Sequence, residues 1–164
     1  MKIKGIIDED FVNYKKPSMT IMFPYCDFKC DKASGRTVCQ NSSLAKEPNI
    51  EVSIESLIER YLKNNITSAI VMQGLEPFNS WVDLFYFIIC LREMYKCDDD
   101  IVIYTGYEED NDIVQKCLKI IWKYIDVKNI IVKYGRFIPD QKPHYDEVLG
   151  VNLASDNQYA KRYS

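Results

Sequence analysis

The stretch Ala69-Ile70-Val71-Met72-Gln73-Gly74-Leu75-Glu76-Pro77 decides the fold. Its first four residues are apolar without alternation, the pattern of a strand buried on both faces. Gln73-Gly74 ends that strand, and Leu75-Glu76-Pro77 leads into text with helical periodicity. Upstream, Met19–Phe23 reads as a similar strand. Downstream, Ile101–Thr105, closed by Gly106, and Ile130–Lys133 read as two more, with Val148–Asn152 a candidate fifth. Amphipathic segments separate them. Ser53 is placed to cap a helix whose apolar face is Ile54, Leu57, Ile58, Tyr61 and Leu62. Asn79 or Ser80 is placed to cap a helix from Trp81 to Tyr95, with Trp81, Leu84, Phe85 and Ile88 inward. Asp110 or Asp112 opens a third, carrying Ile113, Cys117, Leu118 and Ile121.

Buried strands alternating with helices imply parallel strands joined by right-handed crossovers. The expected architecture is one α/β domain over residues 1–164, either a wound, mostly parallel sheet or a partial (β/α) barrel with its helices outside. Ligand sites in such sheets gather at the carboxyl ends of the strands. Three loops are expected there: the one after Phe23, Gly74–Pro77 and Tyr104–Tyr107.

The 164 residues are 47% hydrophobic and 27% charged, with a net charge of −3, which excludes wholesale disorder and the electrostatic footprint of a nucleic-acid binder. No run is long and apolar enough to span a bilayer, and the first residues lack a signal peptide's apolar stretch. The expectation is a cytoplasmic chain without nucleic-acid or membrane partners. In that compartment clustered cysteines bind metal or react more often than they form disulfides. Of six cysteines, Cys90, Cys97 and Cys117 lie in apolar helical text and read as core residues. The other three, Cys26, Cys30 and Cys39, share the loop spanning residues 24–41. Three thiolates on one loop suit an iron–sulfur cluster with one iron open, a zinc site lacking an obvious fourth ligand, or a role without metal. The only histidine, His144, is distant in sequence.

Clustered cysteines after the first strand and Gly74-Leu75-Glu76-Pro77 after the second resemble the radical S-adenosylmethionine (SAM) superfamily, with its Cys-x3-Cys-x2-Cys and Gly-Gly-Glu-Pro motifs. Two departures stand out: Cys39 follows Cys30 after eight residues instead of two, and Leu75 replaces a glycine. Within the superfamily the chain is most similar to the small activating proteins of anaerobic ribonucleotide reductase. Cys39-Gln40-Asn41 resembles their Cys-His-Asn, and Tyr104-Thr105-Gly106-Tyr107 their Tyr-Thr-Gly-Tyr. Val132–Phe137 and Gly150–Gln158 resemble the stretch after their fourth strand and their Ser-x-Asn-Gln tail. The family's Asp before the lysine is Ile130 here; Asp126 lies upstream as a substitute or as a solvated helix-end charge.

The resemblance implies a 4Fe–4S cluster on Cys26, Cys30 and Cys39, with one iron left for SAM. It implies that Glu76 and the Gly74 turn receive the SAM ammonium group, that Thr105 and Lys133 serve its ribose and carboxylate, and that Asn41 belongs to the same site. The implied activity is reductive cleavage of SAM to a 5′-deoxyadenosyl radical, which generates a glycyl radical on the large reductase. The implied partners are that reductase and an electron donor such as a flavodoxin or ferredoxin. Another radical SAM enzyme, acting on a small molecule or peptide, and a zinc-stabilised binding module are the competing expectations. Plainer readings apply elsewhere. Asp98-Asp99-Asp100 reads as a solvated turn, Asn157-Gln158 as either tail polarity or part of the site, and Tyr25 and Phe28 as packing around the loop.

Overall fold

The computed structural model describes residues 1–125 and 128–163. One six-stranded sheet organises them: β1 (Gly5–Asp10), β2 (Ser18–Phe23), β3 (Ala69–Gly74), β4 (Asp100–Tyr104), β5 (Ile130–Tyr134) and β6 (Tyr159–Tyr163). Their order across the sheet is their order in the chain. The central four are parallel, while β1 and β6 run antiparallel at the edges. Among the described residues the edges do not meet, so the sheet is open and does not close into a barrel.

Five helices accompany it: α1 (Lys29–Ser34), α2 (Ser42–Lys46), α3 (Ile54–Lys63), α4 (Trp81–Ile89) and α5 (Asp112–Tyr124). A wider π turn, Cys90–Met94, extends α4. Because strand side chains alternate between faces, the sheet divides its apolar residues between two clusters. Ile70, Met72, Ile101, Ile103, Ile130 and Val132 pack against Leu57, Ile58, Leu84, Phe87, Leu118 and Ile121 of α3, α4 and α5. Ala69, Val71, Val102 and Ile131 face the other way, against Tyr14, Leu149 and Leu153. One face is therefore covered by helices and the other by thin loop-and-ribbon cover. None of the described helices is long and apolar enough to cross a membrane.

The four parallel strands and three main helices stand where the periodicity predicts them. Ser53 caps α3, its hydroxyl accepting from the Ser56 amide at 3.0 Å. Cys117 is buried, and Cys90 and Cys97 pack half-buried against the core.

Several expectations need correction. Val148–Asn152 is not a fifth strand of the main sheet; Val151–Leu153 pairs antiparallel with His144–Asp146 in a separate ribbon. The Asp146 carboxylate accepts the Leu149 amide at 2.8 Å, and Gly150 takes φ +73°, so the chain folds back on itself there. The sheet gains instead the polar edge strands β1 and β6, which half-exposed text conceals from a search for continuous apolar runs. Asn111, not Asp110 or Asp112, caps α5 through its side-chain oxygen. Leu62, Trp81 and Ile113 are 43%, 38% and 42% exposed, since only a limited arc of each helix reaches the sheet. Nor is Asp98-Asp99-Asp100 simply solvated. Asp100 is buried at the start of β4, held by Arg162, Tyr14 and Lys16, and Asp99 accepts from the Tyr61 hydroxyl. Ile130 is a fully buried core residue; Asp126 lies outside the described residues.

Candidate functional site

At the carboxyl ends of β2 to β5 lies a cavity of about 370 Å³, lined by Cys26, Cys30, Cys39, Asn41, Gly74, Glu76, Thr105 and Lys133 together. All eight residues singled out from the sequence thus border one space, within the size range of small-molecule sites. Gln73, Tyr104, Arg136, Asn13, Asn152 and Gln158 add polar groups to the wall.

The turn after β3 is the organising element. Leu75 and Glu76 donate backbone bonds to Phe23 and Tyr25 at 3.3 and 2.7 Å, extending the β2–β3 pairing into the start of the cysteine loop. The far end of that loop returns to the same turn, where Asn41 Nδ2 donates to the Gly74 carbonyl at 2.7 Å. Both ends of the loop are therefore fixed to three consecutive residues. Gly74 is required at its position. It adopts φ +99°, and a Cβ there would stand 2.9 Å from Met22 Cα and Phe23 N.

Between those ends, Cys26 Sγ accepts from the Phe28 amide at 3.2 Å, and Phe28 takes a left-handed conformation that starts α1, which carries Cys30. Tyr107 braces this first turn: its hydroxyl donates to Asn79 Oδ1 at 2.7 Å and lies 3.2 Å from Asp27 Oδ2, and the Lys29 ammonium sits 4.5 Å from its ring centre. The long interval to Cys39 is taken up by α1 and a left-handed Gly35, after which the Val38 and Cys39 amides both donate to Asp31 Oδ1 at 2.8 Å.

Burial pushes the Cys26 thiol up to about 11 and raises that of Cys30, and nearby Cys39 adds to both. Without metal these two are neutral thiols at pH 7, so metal binding must displace their protons.

Glu76 is only 3% exposed. Its carboxylate accepts from the Phe78 amide at 3.1 Å, the Thr105 hydroxyl at 2.9 Å and the Gly106 amide at 2.9 Å. Burial pushes its pKa up to about 7, against the pull of those three donors. Thr105 also accepts from the Tyr107 amide at 3.0 Å, so its single proton is committed to holding Glu76 and one lone pair is left. Lys133, 5% exposed, donates to the Gly135 carbonyl at 2.6 Å; burial lowers its pKa to about 8, opposed by the charge of Glu76. Among the described residues neither Glu76 nor Lys133 has an ion-pair partner. The cavity thus offers a buried acid and a buried base, each poised for the opposite charge on a ligand.

Among the described residues, no group of three or more His, Cys, Asp or Glu side chains is gathered closely enough for a single metal ion. The three thiols border the cavity as a soft donor set, of the kind that suits zinc or iron–sulfur centres. His144 is not among the lining residues.

Two contributors lie outside every motif. Asp31 shapes the loop, and Asp10 holds the turn that brings Val12 and Asn13 to the cavity, accepting their amides at 2.8 and 3.2 Å. Asn157 and Gln158 have a defined role: Gln158 bonds the Gly135 carbonyl and the Ala154 and Ser155 amides, and Asn157 bonds the Arg136 carbonyl. The Ser-x-Asn-Gln resemblance singles out these two residues, but nothing local in the polar tail names their partners. No family model matches the chain, and no curated protein matches it in sequence.

Proposed function

We propose that this chain is a radical SAM activating enzyme that generates a glycyl radical on a large anaerobic ribonucleotide reductase. The supporting observation is the convergence of three cysteines, the Gly74–Pro77 turn, Thr105 and Lys133 on one cavity at the carboxyl ends of four parallel strands. On this reading the open sheet is a partial (β/α) barrel reduced to its cofactor-binding strands.

When bound, a 4Fe–4S cluster and SAM would supply radical chemistry: one-electron reductive cleavage of the sulfonium, with hydrogen-atom abstraction from a glycine of the partner. The protein's residues hold and align. Cys26, Cys30 and Cys39 would hold the cluster. Glu76, fixed by three donors, accepts from the ligand's ammonium, and Lys133 donates to its carboxylate. Thr105 keeps the Glu76 carboxylate oriented and presents its free lone pair to a ribose hydroxyl. Asn41 and the Gly74 carbonyl keep the cysteine loop in place against the ligand. An electron donor of the flavodoxin or ferredoxin kind supplies the electron.

The test is anaerobic reconstitution with iron and sulfide, followed by mixing with the large reductase, SAM and a reductant. The expected result is a glycyl-radical signal on the reductase that disappears in Cys26→Ala. An intact SAM-responsive cluster that produces no such radical, but cleaves SAM when given a metabolite or peptide, would move the chain to another radical SAM activity. Zinc without inorganic sulfide would make it a binding module.

A further inference from the structure

The eight residues between Cys30 and Cys39 pose a positioning problem that a two-residue spacing does not. With two intervening residues, covalent geometry alone keeps the third thiol near the second. With eight, the chain can reach more than 20 Å on average extension per residue, about 3.3–3.6 Å each, so something must bring Cys39 back. The segment Lys32–Thr37 is largely exposed and buries none of the core, so apolar packing does not do it. Asn41 on the Gly74 carbonyl at 2.7 Å anchors the far end of the loop, and Asp31 is the group that ties Cys39 to the Cys30 side of the excursion. It follows Cys30 directly, and one oxygen of its carboxylate, Oδ1, accepts both the Val38 and the Cys39 amides at 2.8 Å. Gly35, at φ +63° with nothing within 4 Å of where a Cβ would stand, ends α1 in a left-handed turn before those amides return. The outer contact, Arg36 with Asp140 at 3.4 Å, joins two well-exposed side chains and is worth little.

We infer that Asp31 is the positioning residue for Cys39: its carboxylate replaces the short spacing by binding the backbone of the third ligand to the residue beside the second. The inference rests on the reading of Cys39 as a cluster ligand. It extends that reading by assigning Asp31 a role no cysteine motif contains. Asp31 itself ligates nothing; it acts through the Cys39 backbone, much as outer-shell partners orient the ligands of metal sites.

Asp31→Ala removes the acceptor, and Asp31→Asn keeps one oxygen at nearly the same place. In the metal-free chain, hydrogen exchange should find the Val38 and Cys39 amides protected in the parent and in Asp31→Asn, and fast in Asp31→Ala. After anaerobic loading with iron and sulfide, the parent and Asp31→Asn should shield Cys39 from alkylation, read by peptide mass spectrometry. Asp31→Ala should leave Cys39 reactive while Cys26 and Cys30 stay shielded, and should lose iron to a chelator roughly 10- to 100-fold more readily. Fast exchange of both amides in the parent overturns the inference. So does an Asp31→Ala protein that shields Cys39 and holds iron like the parent, or an Asp31→Asn protein that behaves like Asp31→Ala. Failure of the parent to take up any cluster sinks the proposed function instead, and the exchange measurement then still decides whether Asp31 holds Cys39 in place.

Discussion

Gly74→Ala is the perturbation whose cost follows most directly from the geometry. The added Cβ would lie 2.9 Å from Met22 Cα and from Phe23 N, and 3.0 Å from Met22 Cβ, with the residue at φ +99°. Two of the three contacts are backbone, and the backbone is held by a six-residue parallel register from Ser18↔Ala69 to Phe23↔Gly74. The methyl therefore has no flexible neighbour to displace. A left-handed conformation costs a non-glycine residue about 1–2 kcal/mol, and forcing extra volume into a packed site costs about 1–3 kcal/mol more. The sum, roughly 2–5 kcal/mol, is a large part of the 5–15 kcal/mol by which domains are stable. At roughly 2–4 °C per kcal/mol for a chain this long, the melting temperature should fall by about 10 °C. Gly35→Ala supplies the control. Gly35 also has positive φ, but nothing lies within 4 Å of its Cβ position, so only the conformational cost applies. Urea denaturation of the metal-free, reduced chain should give a midpoint clearly lower for Gly74→Ala than for Gly35→Ala, at unchanged m. Equal midpoints would refute the claim that the turn after β3 is locked against β2.

Other outcomes follow from the same contacts. Glu76→Gln keeps the volume but replaces an acceptor-only group and removes the charge; SAM binding, measured by calorimetry, should weaken roughly 10- to 150-fold, the equivalent of about 1.5–3 kcal/mol for a hydrogen bond to a charged group. Thr105→Val strips Glu76 of one donor and the Tyr107 amide of its acceptor and should cost about 1–3 kcal/mol in stability, with Thr105→Ser restoring both bonds. Asn41→Ala should leave global stability within about 1 kcal/mol but raise hydrogen exchange across residues 24–41, because it unpins one end of the loop from Gly74. Burial alone would raise the Asp100 pKa, but bonds from Arg162, Lys16 and Tyr14 outweigh it and hold the group at about 2, below its ordinary 3.8. A depressed folded-state pKa stabilises the fold above the unfolded value, so the contribution is present above about pH 4 and lost as pH falls toward 2. With Lys16 45% and Arg162 35% exposed, screening reduces the full linkage value to about 1–2 kcal/mol. Asp100→Asn should flatten the stability profile in that window.

The parallel strands and the site face were legible because both rest on local, redundant signals. Ile70-Val71 and Ile101-Val102-Ile103 are apolar on both sides, and a parallel sheet places the loops after such strands on one edge. The cysteine loop, Gly74–Pro77 and Tyr104–Tyr107 follow from that placement, whereas Lys133 and the ligand roles expected of Glu76 and Thr105 come from the family resemblance alone. What the sequence hides depends on distant partners. β6 reads as polar text because it is an edge strand, and Val148–Asn152 reads as a main-sheet strand because nothing local reveals the Asp146 carboxylate that folds it back. Asp100 looks solvated beside Asp98 and Asp99 until Arg162 of β6 and Tyr14 are brought to it. Asp31 is concealed differently. Its partners are seven and eight residues away, within the loop, but an acceptor for two backbone amides has no residue-type signature.

The most direct measurement is low-temperature electron paramagnetic resonance of the anaerobically reconstituted, reduced protein, with and without SAM. A reduced 4Fe–4S signal that changes on addition of SAM, and is absent in Cys26→Ala, is the predicted result. A protein that assembles no cluster, or a cluster whose signal SAM leaves unchanged, would contradict the assignment of this cavity to radical SAM chemistry.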